Sequence, residues 1–131
     1  MNDHEEMFVR AFVIVKKQSR FLEQLASTKH RRAMTSSLDH SRDFNDRLAR
    51  QIAADEQTSE RIYSILAGKG APNTCHVISA NARLDGKEMA LLTALQEVVG
   101  YGDGTFLSCI PGKLGYFESS EPGGRYILET K

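Results

Sequence analysis

Apolar positions fall at helical spacing over the first half of the chain and in short continuous runs over the second. Phe8, Ala11, Phe12 and Val15 form one stripe, and Leu22, Leu25 and Ala26 extend it, which predicts helix. Within the stripe, Phe12-Val13-Ile14-Val15 is β-branched enough that a strand is the alternative reading. Thr28 stands where an N-cap belongs for a short helix through Ala33, Met34 and Leu38. A polar stretch, Asp39 to Asp46, breaks the pattern. Leu48, Ile52, Ile62 and Leu66 then predict one or two further helices, closed by Gly68 or Gly70.

Beyond residue 70 the period changes. Thr74 to Ser79 is a short, apolar, β-branched run introduced by Pro72-Asn73, and it reads as a buried strand. Asp85 and Glu88 have the spacing of a capping box for a helix carrying Leu91, Leu92, Leu95, Val98 and Val99. Gly100 closes that helix. Thr105 to Ile110, Lys113 to Ser119 and Arg125 to Thr130 read as three strands forming a meander. Pro111-Gly112 suits a type II turn, whose twist opposes a tight hairpin, so a looser connection or a bulge is expected there. The strand–helix–strand unit from 74 to 110 is simplest as a right-handed parallel crossover. The predicted class is α+β: three or four N-terminal helices followed by β-α-β-β-β, in a mixed sheet with helices on one face.

Size and composition agree with this. A chain of 131 residues, 40% hydrophobic and 26% charged, has the length of one ordinary domain. A single domain over 1–131 is expected, helical over about 5–68 and sheet over about 74–130. No glycine precedes Gly68, and seven of the ten lie at or beyond residue 100, which marks the same division. Cys75 and Cys109 form no CxxC and read as buried thiols in a reducing compartment. The acidic start, Asp3-His4-Glu5-Glu6, is unlike the basic start of a signal peptide. The run Met7 to Val15 contains Arg10 and is too short to span a bilayer. A cytoplasmic protein with no membrane partner is the expectation.

Charge changes the picture locally. Seventeen basic residues balance seventeen acidic ones. Yet Arg10, Lys16, Lys17, Arg20, Lys29, Arg31 and Arg32 face only Glu23 within their segment. Lys29-His30-Arg31-Arg32 would occupy the first turn of a helix, against the macrodipole, and an anion would relieve that conflict. The competing explanation is a solvated basic face paired with Asp39, Asp43, Asp46 or C-terminal acids. A second candidate follows from the crossover. Parallel strands at 74–79 and 105–110 would bring Ser79, Asn81 and Arg83 beside Lys113 at one sheet edge, where a small anion could bind.

The remaining motifs favour structural explanations. Asp39, His40, Asp43 and Asp46 are oxygen-rich, as polar loops and caps are, and no metal or other cofactor is expected. Cys75 and His76 point to opposite sides of a strand. Gly100, Gly102 and Gly104 follow a helix and precede a strand, the reverse of a phosphate-binding loop, and suit a helix exit. No catalytic constellation is present. The leading expectation is a regulatory or interaction domain that binds an acidic protein or nucleic acid through Lys29, His30, Arg31 and Arg32. The second is a small-molecule-binding protein or enzyme using Arg83 and Lys113. Self-association through the terminal strand, Arg125 to Thr130, is expected if that strand lies at a sheet edge.

Overall fold

The computed structural model describes residues 2–38 and 43–130. Its first helix, α1 (Asp3–Phe12), starts at Asn2, whose side chain accepts from the His4 N–H at 2.7 Å. Asp3, Glu5 and Glu6 fill its first turn, where the helix dipole favours acids. The β-branched residues after it end the helix. Val13 is extended and forms an isolated bridge to Phe44, and Ile14 N–H donates to the Asp43 carbonyl at 2.9 Å. Both readings of Phe12–Val15 therefore hold part of the truth. Helix α2 (Val15–Ala26) follows, then α3 (Arg31–Ser36). Thr28 does not cap α3; its N-cap position is His30, with no side-chain hydrogen bond.

Next come β1 (Ala49–Gln51), α4 (Ser59–Gly68), β2 (Thr74–Ser79), β3 (Glu88–Ala90), α5 (Leu91–Val98), β4 (Thr105–Ile110), β5 (Leu114–Glu118) and β6 (Arg125–Glu129). The six strands form one sheet in the order β1-β6-β5-β4-β2-β3, every neighbouring pair antiparallel. The class is α+β, but the expected mixed sheet is corrected. The cause is β3. It runs back along β2, with Thr74 opposite Ala90 and His76 opposite Glu88. Helix α5 thus starts at the end of the sheet where β2 began, and β4 enters antiparallel, with Ser79 opposite Thr105. The expected capping box is corrected with it: Glu88 opens β3, and Ala90, at the N-cap of α5, gives no side-chain bond.

Helices cover both faces, correcting the one-face expectation. Phe106, Phe117 and Leu128 pack with Phe8, Val9, Phe12, Phe21, Leu25 and Met34 of α1–α3. Their strand neighbours Leu107, Tyr116 and Ile127 pack with Ile62, Leu66, Leu91 and Leu95 of α4 and α5. Successive strand residues point to opposite faces, so a sheet covered on both sides has continuous apolar strands. The aromatic contacts that seat the N-terminal layer include Phe8 on Phe106, stacked at 4.2 Å, and Phe44 edge-on to Phe117 at 4.6 Å.

The β4–β5 connection behaves as expected. Gly112 has φ +71° in the turn closed by Lys113 N–H to the Ile110 carbonyl at 2.9 Å. The register shifts between Ser108 and Ile110, a bulge. The terminal strand is not an edge: Tyr126–Leu128 of β6 pair with Gln51–Ala49 of β1. Self-pairing through Arg125–Thr130 is corrected accordingly, and the edges are β1 and β3. Among the described residues no helix is long and apolar enough to cross a membrane.

Candidate functional site

The α2–α3 corner carries the basic run, and the structure divides it. Arg31 turns inward. Its guanidinium meets both oxygens of Glu5 (Nη1–Oε1 2.8 Å, Nη2–Oε2 2.6 Å) and both of Asp85 (Nε–Oδ2 2.6 Å, Nη2–Oδ1 3.1 Å). Its hydrogen bonds to these two carboxylates, Glu5 first, hold it still more firmly in its charged form. Burial pushes the Glu5 carboxyl up, but hydrogen bonds from Arg31 and His76 outweigh it and bring the group down to about 2.

The cluster continues beneath α1. His76 Nε2 lies 2.7 Å from Glu5 Oε2. An ionised carboxylate only accepts, so that nitrogen bears the proton. The His76 ring stacks on His4 with centroids 5.6 Å apart, and His4 Nδ1 meets Ser108 Oγ at 2.7 Å. Asp85 Oδ1 also accepts the Ser79 N–H at 2.9 Å. Glu5, His76 and Ser108 are all buried. One salt-bridged cluster thus ties α1, α3, β2 and the β2–β3 connection together, with its charges used internally. Sequence reasoning missed Glu5, His76 and Asp85 as partners. A signal existed, because Glu5 shares the helical face of Phe8, Val9 and Phe12, where an acid needs a buried cation.

Lys29, His30 and Arg32 remain outside, all exposed. Arg32 Nη1 donates to the Ala80 carbonyl at 3.2 Å, and His30 Nδ1 meets Ser27 Oγ at 3.0 Å. Lys16 and Arg20 are exposed on α2. Among the described residues none of Lys16, Arg20, Lys29 and Arg32 has a carboxylate partner, whereas Lys17 meets Asp43 at 2.6 Å. Asp39 and His40 lie outside the described residues. Arg20 and Gln24 stand between two clefts. One of about 310 Å³ is shared with Glu23 and His30, and one of about 110 Å³ with Lys17 and Ser37.

The second expected site is not assembled. Ser79 Oγ bonds Thr105 Oγ1 at 2.7 Å and accepts the Asn81 N–H at 2.9 Å, while Asn81 Oδ1 accepts the Arg83 N–H at 3.0 Å. These bonds shape the turn after β2. Arg83 is exposed and 3.6 Å from Glu97. Lys113 follows β4, and antiparallel pairing of β2 with β4 puts it at the opposite end of the sheet from Arg83.

The glycine loop after α5 serves an internal group. Gly100 and Gly102 have φ +92° and +71°, and their N–H groups donate to Glu118 Oε1 at 3.1 Å and Oε2 at 2.7 Å. Tyr116 Oη and Arg125 Nε complete the shell at 2.8 and 3.1 Å. Both cysteines are free and buried. Burial, then the nearby Glu88, pushes the Cys75 thiol up to about 12; burial, then Cys75, raises Cys109. No family model, curated protein or solved structure matches this chain.

Proposed function

We propose that this protein is a non-enzymatic interaction domain that binds an acidic macromolecule, an acidic protein or a nucleic acid, through the outer face of α2 and α3. Lys16, Arg20, Lys29 and Arg32 supply the charge, and His30 lines the cleft beside Arg20. The observation that carries this reading is the division of the basic segment. Arg31 is neutralised by Glu5 and Asp85 and Lys17 by Asp43, yet four neighbouring cations have no carboxylate among the described residues. Such an excess attracts a polyanion and lets binding fall with salt. The buried, raised thiols of Cys75 and Cys109 suit packing better than nucleophilic chemistry.

The test is binding of labelled mixed-sequence RNA and DNA, and of a labelled polyglutamate, at low and physiological salt. Wild type is compared with Arg20→Glu/Lys29→Glu/Arg32→Glu, which spares Arg31 and so leaves the cluster intact. Salt-sensitive binding lost in the variant supports the reading, and the probe bound identifies the partner class. Absence of binding to every probe at low salt overturns it.

A further inference from the structure

The inner edge of β1 pairs with β6, and its outer edge is open among the described residues. Ile52 N–H reaches the Arg125 carbonyl at 2.8 Å, and the register continues as Gln51 to Tyr126 and Arg50 to Ile127. Hydrogen-bonded pairs alternate with non-bonded pairs along an antiparallel ladder. Ile52 and Arg50 therefore spend their backbone groups on β6, and Ala49 and Gln51 turn theirs outward. Ala49 N–H is taken by the Asp46 carbonyl. The Ala49 carbonyl and both backbone groups of Gln51 remain, which is what an incoming strand needs to start pairing.

Beside this edge lies a cleft of about 310 Å³, lined in part by Arg47, Arg50, Ile127 and Glu129. Glu129 is engaged by Lys69 at 2.8 Å. Neither Arg47 nor Arg50 has a carboxylate partner among the described residues. Arg50 lies opposite Ile127, so its side chain lies on the same sheet face as the cleft. A residue opposite Arg50 on a seventh strand would meet it on that face, where opposite charges attract. A second copy of this chain fits poorly. A two-fold pairing centred on Arg50 or Gln51 would set the two Arg50 side chains opposite or diagonal to each other, and like charges so placed repel.

We propose that the outer edge of β1 is a docking site for an extended acidic segment of another protein, which adds a strand beside Gln51 and places carboxylates on Arg47 and Arg50. Backbone pairing would supply affinity and the arginines the preference, as in other strand-addition complexes. The site is separate from the α2–α3 face and stands or falls independently of it.

The probe is a fluorescein-labelled peptide of alternating valine and glutamate, with a valine–lysine peptide as control. Two further forms are N-methylated, one on each alternate set of residues. The expected result is saturable binding of the acidic peptide, with the lysine peptide inert. One N-methylated form binds and the other does not, because only one set of N–H groups faces β1. Arg47→Glu/Arg50→Glu weakens binding at least about tenfold, roughly 1.4 kcal/mol. Gln51→Pro removes one outward donor without touching the β1–β6 ladder, which an edge position tolerates, and it also weakens binding. Unchanged circular dichroism and Tm confirm that both variants are folded.

No saturable binding up to about 1 mM peptide overturns the proposal. So does equal binding of both N-methylated forms, which marks charge attraction without strand pairing. A wild-type dimer dissolved by Gln51→Pro would put a second copy on this edge and overturn it as well.

Discussion

Replacing Arg31 with methionine removes the cation from between two nearly buried carboxylates while keeping much of the side chain's volume. The side chains of Arg31, Glu5 and Asp85 are 21%, 5% and 10% exposed. An exposed pair contributes about 1 kcal/mol or less, but removing one partner of a buried pair costs about 3–5 kcal/mol through the charge left behind. With a urea m-value of about 1.5 kcal/mol/M, the midpoint should fall by about 2–3 M. Arg31→Met/Glu5→Gln/Asp85→Asn removes the stranded charges and keeps acceptors for His76 and Ser79, so it should recover more than half of the loss.

The pH dependence gives an independent reading of the same cluster. The Glu5 carboxyl is held at about 2 in the fold against an ordinary 4.5. Its folded value is depressed, so its contribution is present above about pH 4.5 and is lost as pH falls toward 2. Arg31→Met should flatten or reverse this part of the acid limb. Urea unfolding followed by circular dichroism from pH 7 to pH 2 measures both effects. A loss below about 1 kcal/mol for Arg31→Met, or no recovery in the triple variant, would show that Arg31 is not the counter-charge of a buried cluster.

A Cβ on residue 115 would clash with the Phe106 ring, 2.6 Å from Cε1, and would lie 2.7 Å from the Leu107 carbonyl oxygen. The carbonyl belongs to the paired strand and cannot retreat, so Gly115→Ala should cost about 3 kcal/mol and lower Tm by about 10 °C in a thermal melt. Native Cys75 and Cys109 should resist Ellman's reagent at pH 8, and both should react once urea unfolds the chain. The His4 pKa is lowered by burial and then by His76, so its contribution is present above 6.5 and is lost as pH falls through the depressed folded value. His4→Gln should therefore lose less stability than wild type between about pH 7 and pH 5 in urea titrations.

The long strands were legible because they are apolar at every step. Thr74–Ser79 and Thr105–Ile110 appear at the bounds their residues suggested, and β5 and β6 differ by a residue at their ends. Such runs usually signal a parallel sheet, and a strand–helix–strand unit is simplest as a parallel crossover. Here the same pattern arises because antiparallel strands are covered on both faces. What misled the topology was β3, whose three residues, Glu-Met-Ala, have too little length for a period. Ala-Arg-Gln of β1 is equally silent, and it converts the terminal strand from an edge into an interior one. Pairing imposed by neighbours creates both short strands, and local propensity does not announce them.

The candidate surface was half legible. The unbalanced charge between Arg10 and Arg32 could be counted, but the direction of each side chain depends on distant partners. Arg31 is claimed by Glu5, 26 positions before it, and by Asp85, 54 positions after it. Asp85 looked like a helix cap because its spacing to Glu88 fits one, and no local pattern shows the salt bridge that it makes instead.

The most direct test of the account is the salt dependence of polyanion binding, measured as log Kobs against log[salt] by fluorescence anisotropy. The preferred polyanion of the three probes would be used with wild type, Arg20→Gln, Lys29→Gln, Arg32→Gln, and Arg61→Gln in α4 as a control from the opposite layer. Affinity should fall with salt, and each α2–α3 substitution should reduce the slope by up to about one when the probe is a nucleic acid. Arg61→Gln should change nothing. Absence of binding at low salt, or an equal loss from Arg61→Gln, would contradict the claim that the outer face of α2 and α3 is the partner surface.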